Sequence, residues 1–172
     1  MSLYSLAAFA SESPVLRPVP KFDPVKYSGD WYEVASIPQS FQKNCVCTRA
    51  RYTMNPASGA LRVLNTCNDF NPNGEVRKVR GVAMNFNHDY PAKLWVGFFW
   101  GLVWSQYWVV ELGSDYDFAV VSDARGRSIW VLSRTPEMSP ELYSEILMKL
   151  WSLGVDIDRI VTTRQDGCNY PN

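Results

Sequence analysis

Eight short runs of strand-forming residues, with no helix between them, limit what this chain can fold into more than any other feature of its sequence. Turn residues separate the runs, most clearly at Asn55–Gly59 and Asn71–Gly74. Consecutive strands joined by turns pair antiparallel, so the order predicts an all-β protein, either an up-and-down barrel or a sandwich. The runs are Trp31–Ile37, Cys47–Met54, Leu61–Cys67, Val76–Phe86, Leu94–Phe99, Tyr107–Leu112, Phe118–Ser122 and Ile129–Ser133.

One α-helix is predicted after the last strand. Ser139 is a suitable N-cap, Pro140 fits the first helical position, and Gly154 is a suitable stop. Because this helix follows all eight strands, we expect it to pack against the outside of a barrel. Its apolar face consists of residues at helical spacing, namely Leu142, Ile146, Leu150 and Leu153.

Length, charge and composition narrow the class of function. A chain of 172 residues is long enough for one domain with a substantial core. Its 17 Lys and Arg balance its 17 Asp and Glu, which argues against a nucleic acid partner because phosphate binding depends on clustered positive charge. No run of about 18 apolar residues is present, so no membrane-spanning helix is predicted. Aromatic residues make up 14% of the chain, which suits a thick core or an apolar pocket.

The first 20 residues are predicted to form an extended segment ahead of the domain. Residues 11–20 contain three prolines and give no regular pattern. Residues 1–10 end in Ala8-Phe9-Ala10, a small-x-small pattern that suits the remnant of a processed signal peptide, although the basic start of such a peptide is missing. A trimmed transit segment is the alternative. The domain itself is then predicted over residues 21–172.

The four cysteines indicate an oxidising compartment. Their even number and separation predict two disulfides, with free buried thiols as the alternative. No Cys-x-x-Cys pair is present, and His88 is the only histidine, so no metal site is predicted. No phosphate loop, nucleophile motif or cofactor motif is visible either. We therefore predict no cofactor and no catalytic residue, that is, a protein that is not an enzyme. The cysteines are Cys45, Cys47, Cys67 and Cys168.

Three separated stretches resemble the motifs of one family. Residues 22–35 combine a turn, Gly29 and Trp31, and lead into the first strand. Residues 113–121 contain Asp115 and Tyr116 in a turn before a strand, and residues 130–136 carry a strand into Arg134. Together these stretches resemble the lipocalins, and the resemblance extends over about residues 21–168. It is nearest to the branch of apolipoprotein D, the bacterial lipocalins and the chloroplast-type plant lipocalins.

The resemblance implies a fold and a set of structural roles. It implies an eight-stranded up-and-down barrel that holds an apolar ligand. Trp31 would lie across the closed end of the barrel and the guanidinium of Arg134 would stack on it, a favourable cation–π arrangement. It also implies a disulfide between Cys47 and Cys168, which leaves Cys45 to pair with Cys67. The sequence alone equally allows Cys45 with Cys168 and Cys47 with Cys67.

Strand alternation then predicts which side chains face the interior. With Trp31 inward, Glu33 and Ala35 follow inward on the first strand, and Glu111 follows Tyr107 and Val109 on a later one. Small residues such as Gly81 leave room for a ligand, although a barrel of this size can also be filled by its own side chains. The predicted ligand-binding residues are Glu33, Val63, Asn65, Ala83, Val96, Phe98, Tyr107, Val109 and Trp130.

The segment Phe98–Trp104 is unusually rich in apolar residues. We predict that it forms a loop at the open rim, where exposed apolar groups mark a partner, a ligand entrance or a membrane surface. The alternative is that its rings fold back into the core.

The expected function is to bind, and to transport or sequester, a small hydrophobic ligand. The nearest branches suggest a fatty acid or a lysophospholipid, and a secreted, periplasmic or organelle-lumen location. A pigment, sterol or tetrapyrrole is an alternative, because the aromatic residues offer stacking faces. Another is a barrel enzyme acting on an oxidised lipid, for which Cys67 would have to be a free thiol. The plant members also suggest protection of membranes from lipid peroxides.

Overall fold

The computed structural model describes residues 14–170, which form a closed antiparallel barrel. The predicted signal remnant at residues 1–10 lies outside the described residues. Eight strands build the barrel and a short ninth strand is added to its side. They are β1 Gly29–Ser36, β2 Cys45–Met54, β3 Leu61–Asp69, β4 Val76–Asn85, β5 Lys93–Phe98, β6 Val103–Leu112, β7 Phe118–Ser122, β8 Ile129–Ser133 and β9 Val161–Thr162.

The first strand closes the sheet. Each strand from β2 to β8 pairs with the next, and β1 pairs on one side with β8 and on the other with β2. Within residues 14–170, this closure leaves no long strand edge exposed. The predicted barrel is thereby confirmed, and the sandwich alternative is wrong. The short strand β9 pairs with Ala35 and Ser36 of β1 and was not predicted, because two residues carry too little pattern to be recognised.

Two helices complete the fold. Helix α1 spans Pro24–Tyr27, and the side chain of Asp23 caps it by accepting hydrogen bonds from the backbone N–H of Val25 and Lys26. Helix α2 spans Pro140–Ser152, where the predicted cap Ser139 accepts from the N–H of Leu142 at 3.2 Å. Single 3₁₀ turns lie at Ser40–Gln42, Phe99–Gly101 and Ile157–Arg159. Within residues 14–170, no helix is long and apolar enough to cross a membrane.

Helix α2 packs outside the barrel, as predicted. Its buried residues Ile146 and Leu150 join a second apolar cluster on the outer face of the sheet. That cluster also contains Leu16 from the N-terminal segment, whose neighbour Val15 donates a hydrogen bond to the carbonyl of Leu153. The extended residues 14–20 are therefore packed against the domain.

Two β-bulges reverse the predicted orientation of two side chains. The pairing of β1 with β8 shifts between Glu33 and Ala35, and Ala35 consequently lies in the outer cluster under helix α2. The pairing of β6 with β7 shifts between Val109 and Glu111, and Glu111 turns outward to Lys149 of α2, with 2.8 Å between Oε2 and Nζ. The inward predictions for Ala35 and Glu111 are wrong because an extra residue interrupts the alternation.

Both predicted disulfides are present. Cys45 bridges to Cys67 between β2 and β3, and Cys47 bridges to Cys168 in the C-terminal tail. This is the pairing that the family resemblance implies. The second bridge closes a sequence separation of 121 residues and ties the tail to the barrel wall. In the chain-entropy model a loop of this size is worth about 4–5 kcal/mol.

Arg134 closes one end of the barrel. Its guanidinium carbon lies 3.9 Å from the centroid of the Trp31 ring, which is fully buried. Its three nitrogens donate to the backbone carbonyls of Tyr116, Asp30 and Lys26 at 3.0, 3.0 and 2.6 Å. One side chain thus links α1, β1, and the turn between β6 and β7.

Gly29 makes room for this closure. Its φ of +105° is a conformation that side chains disfavour, and a Cβ there would come within 3.1 Å of Nη1 of Arg134. The Nε1 of Trp31 donates to the carbonyl of Tyr27 at 2.8 Å, which fixes the indole across the barrel. Tyr116 lies in the same region, where its hydroxyl accepts from the N–H of Asp23, while Asp115 beside it is exposed.

We expect Arg134→Ala to lower the free energy of unfolding by about 2–4 kcal/mol, because the cation–π contact and three charge-assisted hydrogen bonds are lost together. Urea denaturation followed by tryptophan fluorescence measures the change. Arg80→Ala, at an exposed position of β4, is the control and should alter stability little. Unchanged stability of Arg134→Ala together with lost ligand binding would contradict a structural role.

Candidate functional site

A cavity of about 1160 Å³ occupies the end of the barrel opposite Arg134. The loops around its mouth connect β1 to β2, β5 to β6, and β7 to β8. Its wall combines apolar and aromatic residues with a small number of polar groups, the usual composition of a small-molecule pocket. The barrel is therefore not filled by its own side chains at this end.

Seven of the nine predicted ligand-binding residues lie on the cavity wall. The other two, Ala83 and Val109, belong to the packed interior of the barrel instead. They point inward as predicted, but the aromatic rings of Tyr27, Trp31 and Tyr52 fill their part of the barrel, so they do not line the cavity. The seven are Glu33, Val63, Asn65, Val96, Phe98, Tyr107 and Trp130.

Three tyrosine hydroxyls meet at the inner end of the cavity. The hydroxyl of Tyr107 lies 2.7 Å from that of Tyr27 and 2.7 Å from that of Tyr52. Tyr27 comes from helix α1, where the Asp23 cap and Pro24 set its position, and Tyr52 and Tyr107 come from β2 and β6. Tyr27 and Tyr52 are buried, and their rings pack at 5.2 Å between centroids.

The environment of these phenols keeps them neutral. Burial is the main cause that raises the pKa of Tyr27, Tyr52 and Tyr107 above the ordinary tyrosine value. For Tyr27 and Tyr107, repulsion from a neighbouring phenolate raises the pKa further. The inner end of the cavity therefore presents uncharged hydroxyls.

A second polar chain lies beside the mouth. Nε1 of Trp130 donates to Oε1 of Gln42 at 2.9 Å, and Nε2 of Gln42 donates to Oε2 of Glu33 at 2.8 Å. Oε1 of Glu33 accepts from the hydroxyls of Ser36 and Thr163. These bonds satisfy the buried carboxylate and hold the loop between β1 and β2 against the indole of Trp130.

Arginines outnumber acids on the cavity wall. Its charged side chains are four arginines and two acids: Arg49, Arg77, Arg125, Arg127, Glu33 and Asp123. Arg77 pairs with Asp69 at 3.3 Å and donates to the carbonyl of Phe41 at 2.8 Å, which fixes it at the mouth. Arg127 pairs with Asp123 at 3.2 Å. Arg49 lies 3.9 Å from Asp30, so three of the four arginines are paired with a carboxylate, and the wall offers guanidinium donors rather than a large net charge.

Several wall residues were missed in the sequence, for identifiable reasons. Tyr52 and Arg77 follow the inward alternation of their strands, and Arg77 is in phase with Val79, so alternation is the signal that identifies both. Gln42 and Arg127 lie in loops, where no periodic signal exists. Tyr27, which lies behind the wall, was also missed, because it precedes the first strand and reaches Tyr107 across 80 residues of sequence.

The apolar segment at the rim forms a tight hairpin tip. Strand β5 ends at Phe98 and β6 begins at Val103, so the loop is shorter than the predicted Phe98–Trp104. Phe99, Trp100 and Gly101 all have positive φ, at 50°, 56° and 83°. This backbone turns Trp100 fully into solvent and leaves Leu102 82% exposed. Phe98 and Phe99 line the cavity, while Trp100 and Leu102 stand outside it.

The structure offers no thiol nucleophile and no metal cluster among residues 14–170. Cys67 lines the cavity, but it is bonded to Cys45, and no cysteine of the described residues is free. No group of three or more His, Cys, Asp or Glu in this part of the chain could hold a metal ion.

Comparison with known proteins identifies related chains. A family model described as a lipocalin-like domain matches residues 22–165. Apolipoprotein D of Mus musculus is 36% identical over 156 residues, covering 86% of this chain and 79% of that protein. Temperature-induced lipocalin-1 of Arabidopsis thaliana is 36% identical over 148 residues, covering 81% and 77% respectively. Insecticyanin of the tobacco hornworm Manduca sexta superposes with a TM-score of 0.69 at 19% identity, covering 94% of this chain and 92% of that one.

We expect the free energy of unfolding to fall as the pH rises above about 10, the pKa of an unfolded tyrosine. The folded pKa values of Tyr27, Tyr52 and Tyr107 are raised, so the folded state gives up their protons later than the unfolded state does. Their stabilising contribution is complete below pH 10 and is lost above it. Urea denaturation at a series of pH values, with tyrosinate absorbance as a second readout, measures the effect.

The variant Tyr27→Phe, Tyr52→Phe, Tyr107→Phe should flatten this pH dependence, and Tyr90→Phe, at an exposed turn, should not. The same slope in the triple variant and the parent chain would contradict a raised pKa in the tyrosine cluster.

Proposed function

Since this chain belongs to the lipocalin family, whose members bind small hydrophobic ligands, we propose that its cavity binds a fatty acid or a lysophospholipid and carries or sequesters it. The observation that supports this most is an apolar cavity with a polar inner end and an arginine-rich mouth. Its two disulfides suit an oxidising compartment, and we propose a secreted, periplasmic or organelle-lumen location.

The size of the cavity suits a lipid. About 1160 Å³ lies slightly above the usual range of small-molecule pockets, roughly 300–1,000 Å³. An acyl chain against Val63, Val96 and Phe98 would gain about 0.8 kcal/mol for each buried methylene.

The guanidinium groups at the mouth suit an anionic head group. A carboxylate or phosphate placed there meets Arg77, Arg125 and Arg127, which can donate several hydrogen bonds to its oxygens. The head stays near water at this position, so its dehydration cost is small. The apolar chain then points inward, toward the tyrosines.

A rigid pigment, sterol or tetrapyrrole is the second candidate. The aromatic side chains of Phe98, Tyr107 and Trp130 on the cavity wall favour it, because they offer faces for a flat ring system. A visible absorption scan of the natively purified protein distinguishes a pigment from an acyl ligand. The barrel-enzyme alternative loses its candidate nucleophile, because the sulfur of Cys67 is in a disulfide.

We expect Asn65→Glu and Trp130→Glu each to weaken the binding of a fluorescent fatty acid at least tenfold, because a carboxylate in the wall occupies the cavity and repels the anionic head. Fluorescence titration and displacement measure the dissociation constants. The matched control is Leu64→Glu, the next residue on the same strand, which lies on neither the cavity wall nor the core clusters. Undiminished binding by both cavity variants would contradict the proposed site.

We also propose that the hairpin tip at Phe99–Leu102 contacts an anionic membrane surface. Trp100 and Leu102 project into solvent beside the mouth, where they could enter the interfacial layer of a bilayer. Neighbouring strands add exposed cations at Arg62, Lys78 and Arg80, which suit anionic lipid heads. This contact would bring the mouth of the cavity close to a source of lipid.

The paired change Trp100→Ser with Leu102→Ser should reduce binding to anionic vesicles roughly tenfold, because most of the exposed apolar tip is removed. Cosedimentation with anionic and zwitterionic vesicles measures the effect. Trp151→Ser is the control, since Trp151 is 69% exposed on helix α2 away from the mouth. Equal vesicle binding by the tip variant and the parent chain would overturn the proposed contact.

A further inference from the structure

We infer that the ligand of this cavity carries a neutral oxygen atom at the end that enters the barrel, and that the cluster of Tyr27, Tyr52 and Tyr107 donates a hydrogen bond to that oxygen. The inference rests on the proposed function and names the ligand class more narrowly. The class is an acyl chain with an anionic head at the mouth and a hydroxyl or keto oxygen far from that head.

The cluster has one more hydroxyl hydrogen than its internal contacts use. Three phenols carry three O–H donors, and two oxygen–oxygen contacts of 2.7 Å join them through Tyr107. Each contact uses one hydrogen, whichever phenol donates it. One O–H therefore has no acceptor among residues 14–170.

The spare donor faces the cavity. Tyr52 and Tyr107 are both on the cavity wall, and Tyr27 lies behind them, fully buried. Tyr52 pairs with Val63 on β3, and Arg77 at the mouth pairs with Cys67 on the same strand. Tyr52 and Arg77 are therefore separated by four residues of strand, about 13 Å at 3.3 Å per residue. An extended acyl chain can span both.

The cost of leaving this O–H donor unsatisfied favours a ligand that can accept a hydrogen bond from it. Water can accept from the spare O–H before a ligand enters, but an acyl chain that reaches the cluster displaces that water. A plain methyl end leaves the buried donor unsatisfied, which weakens binding roughly three- to tenfold relative to a chain that can accept from it. A hydroxyl or keto oxygen restores the bond. A carboxylate would lose far more hydration than one neutral donor returns.

The charge state of the cluster agrees with this selection. Burial raises the pKa of all three phenols, so at neutral pH they are donors and carry no charge that could repel or attract an ion. The mouth with its arginines suits an anion, whereas the inner end suits a neutral acceptor. A single ligand therefore presents an anionic group to the mouth and a neutral hydrogen-bond acceptor to the inner end.

Binding of a matched ligand series tests the inference. The probes are hexadecanoic acid, monohydroxy-hexadecanoic acids with the hydroxyl near the carboxyl end, in mid-chain or at the methyl end, and the corresponding dicarboxylic acid. Calorimetry or displacement of a fluorescent probe gives each dissociation constant. We expect one distal hydroxy acid to bind roughly three- to tenfold tighter than hexadecanoic acid, and the dicarboxylic acid to bind weakest.

The triple variant Tyr27→Phe, Tyr52→Phe, Tyr107→Phe links the preference to the cluster. Replacing all three hydroxyls leaves no buried partner unsatisfied, so this variant is the least disruptive to folding. The affinity ratio of the distal hydroxy acid to hexadecanoic acid should fall to about one or below. Tyr143→Phe, on helix α2, should keep the parent ratio.

The outcomes separate this inference from the proposed function. Equal affinity for all the monocarboxylic acids, or the same hydroxyl preference in the triple variant, would overturn the inference and leave the proposed function standing. Binding of none of these acids and of no lysophospholipid would overturn both.

Discussion

The contact between the guanidinium of Arg134 and the indole of Trp31 is the constraint on which the rest of the structure depends. A barrel of eight strands has two ends, and a pocket requires that one of them be closed. Arg134 closes it from outside with three hydrogen bonds to carbonyls, and Trp31 fills it from inside. Both side chains are far from the cavity mouth, which explains why the motif that identifies the family says little about the ligand.

The closed end also sets where the cavity begins. Trp31 is held by the carbonyl of Tyr27, and Tyr27 in turn places its hydroxyl against Tyr107. The half of the barrel next to Arg134 is thereby filled with aromatic rings. The tyrosine hydroxyls form the inner boundary of the empty half next to the mouth. Tyr27, in the four-residue helix α1, therefore contacts both the closed end and the tyrosine cluster at the inner end of the cavity. A substitution at the closed end should therefore alter the cavity through the tyrosine cluster.

Much of the architecture could be predicted from the sequence, because strands and turns are encoded locally. The eight strands, the outer helix and the inward positions of Val63, Asn65 and Val96 all follow from alternation and turn residues. The orientations of Ala35 and Glu111 could not be predicted, since a bulge adds one residue without a distinctive sequence signal. Ala83 and Val109 face inward but lie in the packed core for another reason: alternation gives the face of a strand, but not how far along the barrel the packed core extends.

The polar groups of the site were the least predictable part, because they depend on contacts between distant residues. Gln42 reaches Trp130 over 88 residues, and Tyr27 reaches Tyr107 over 80. Neither contact has a local signature, yet together they define the two polar regions of an otherwise apolar cavity. Such contacts appear only once the closed barrel brings the strands together.

Mass spectrometry of the molecules extracted from the natively purified protein tests the central claim most directly. We expect one dominant amphiphile with an acidic head group, an acyl chain and a neutral oxygen on the distal part of that chain. A coloured ring system, or an acyl ligand without any distal oxygen, would contradict it.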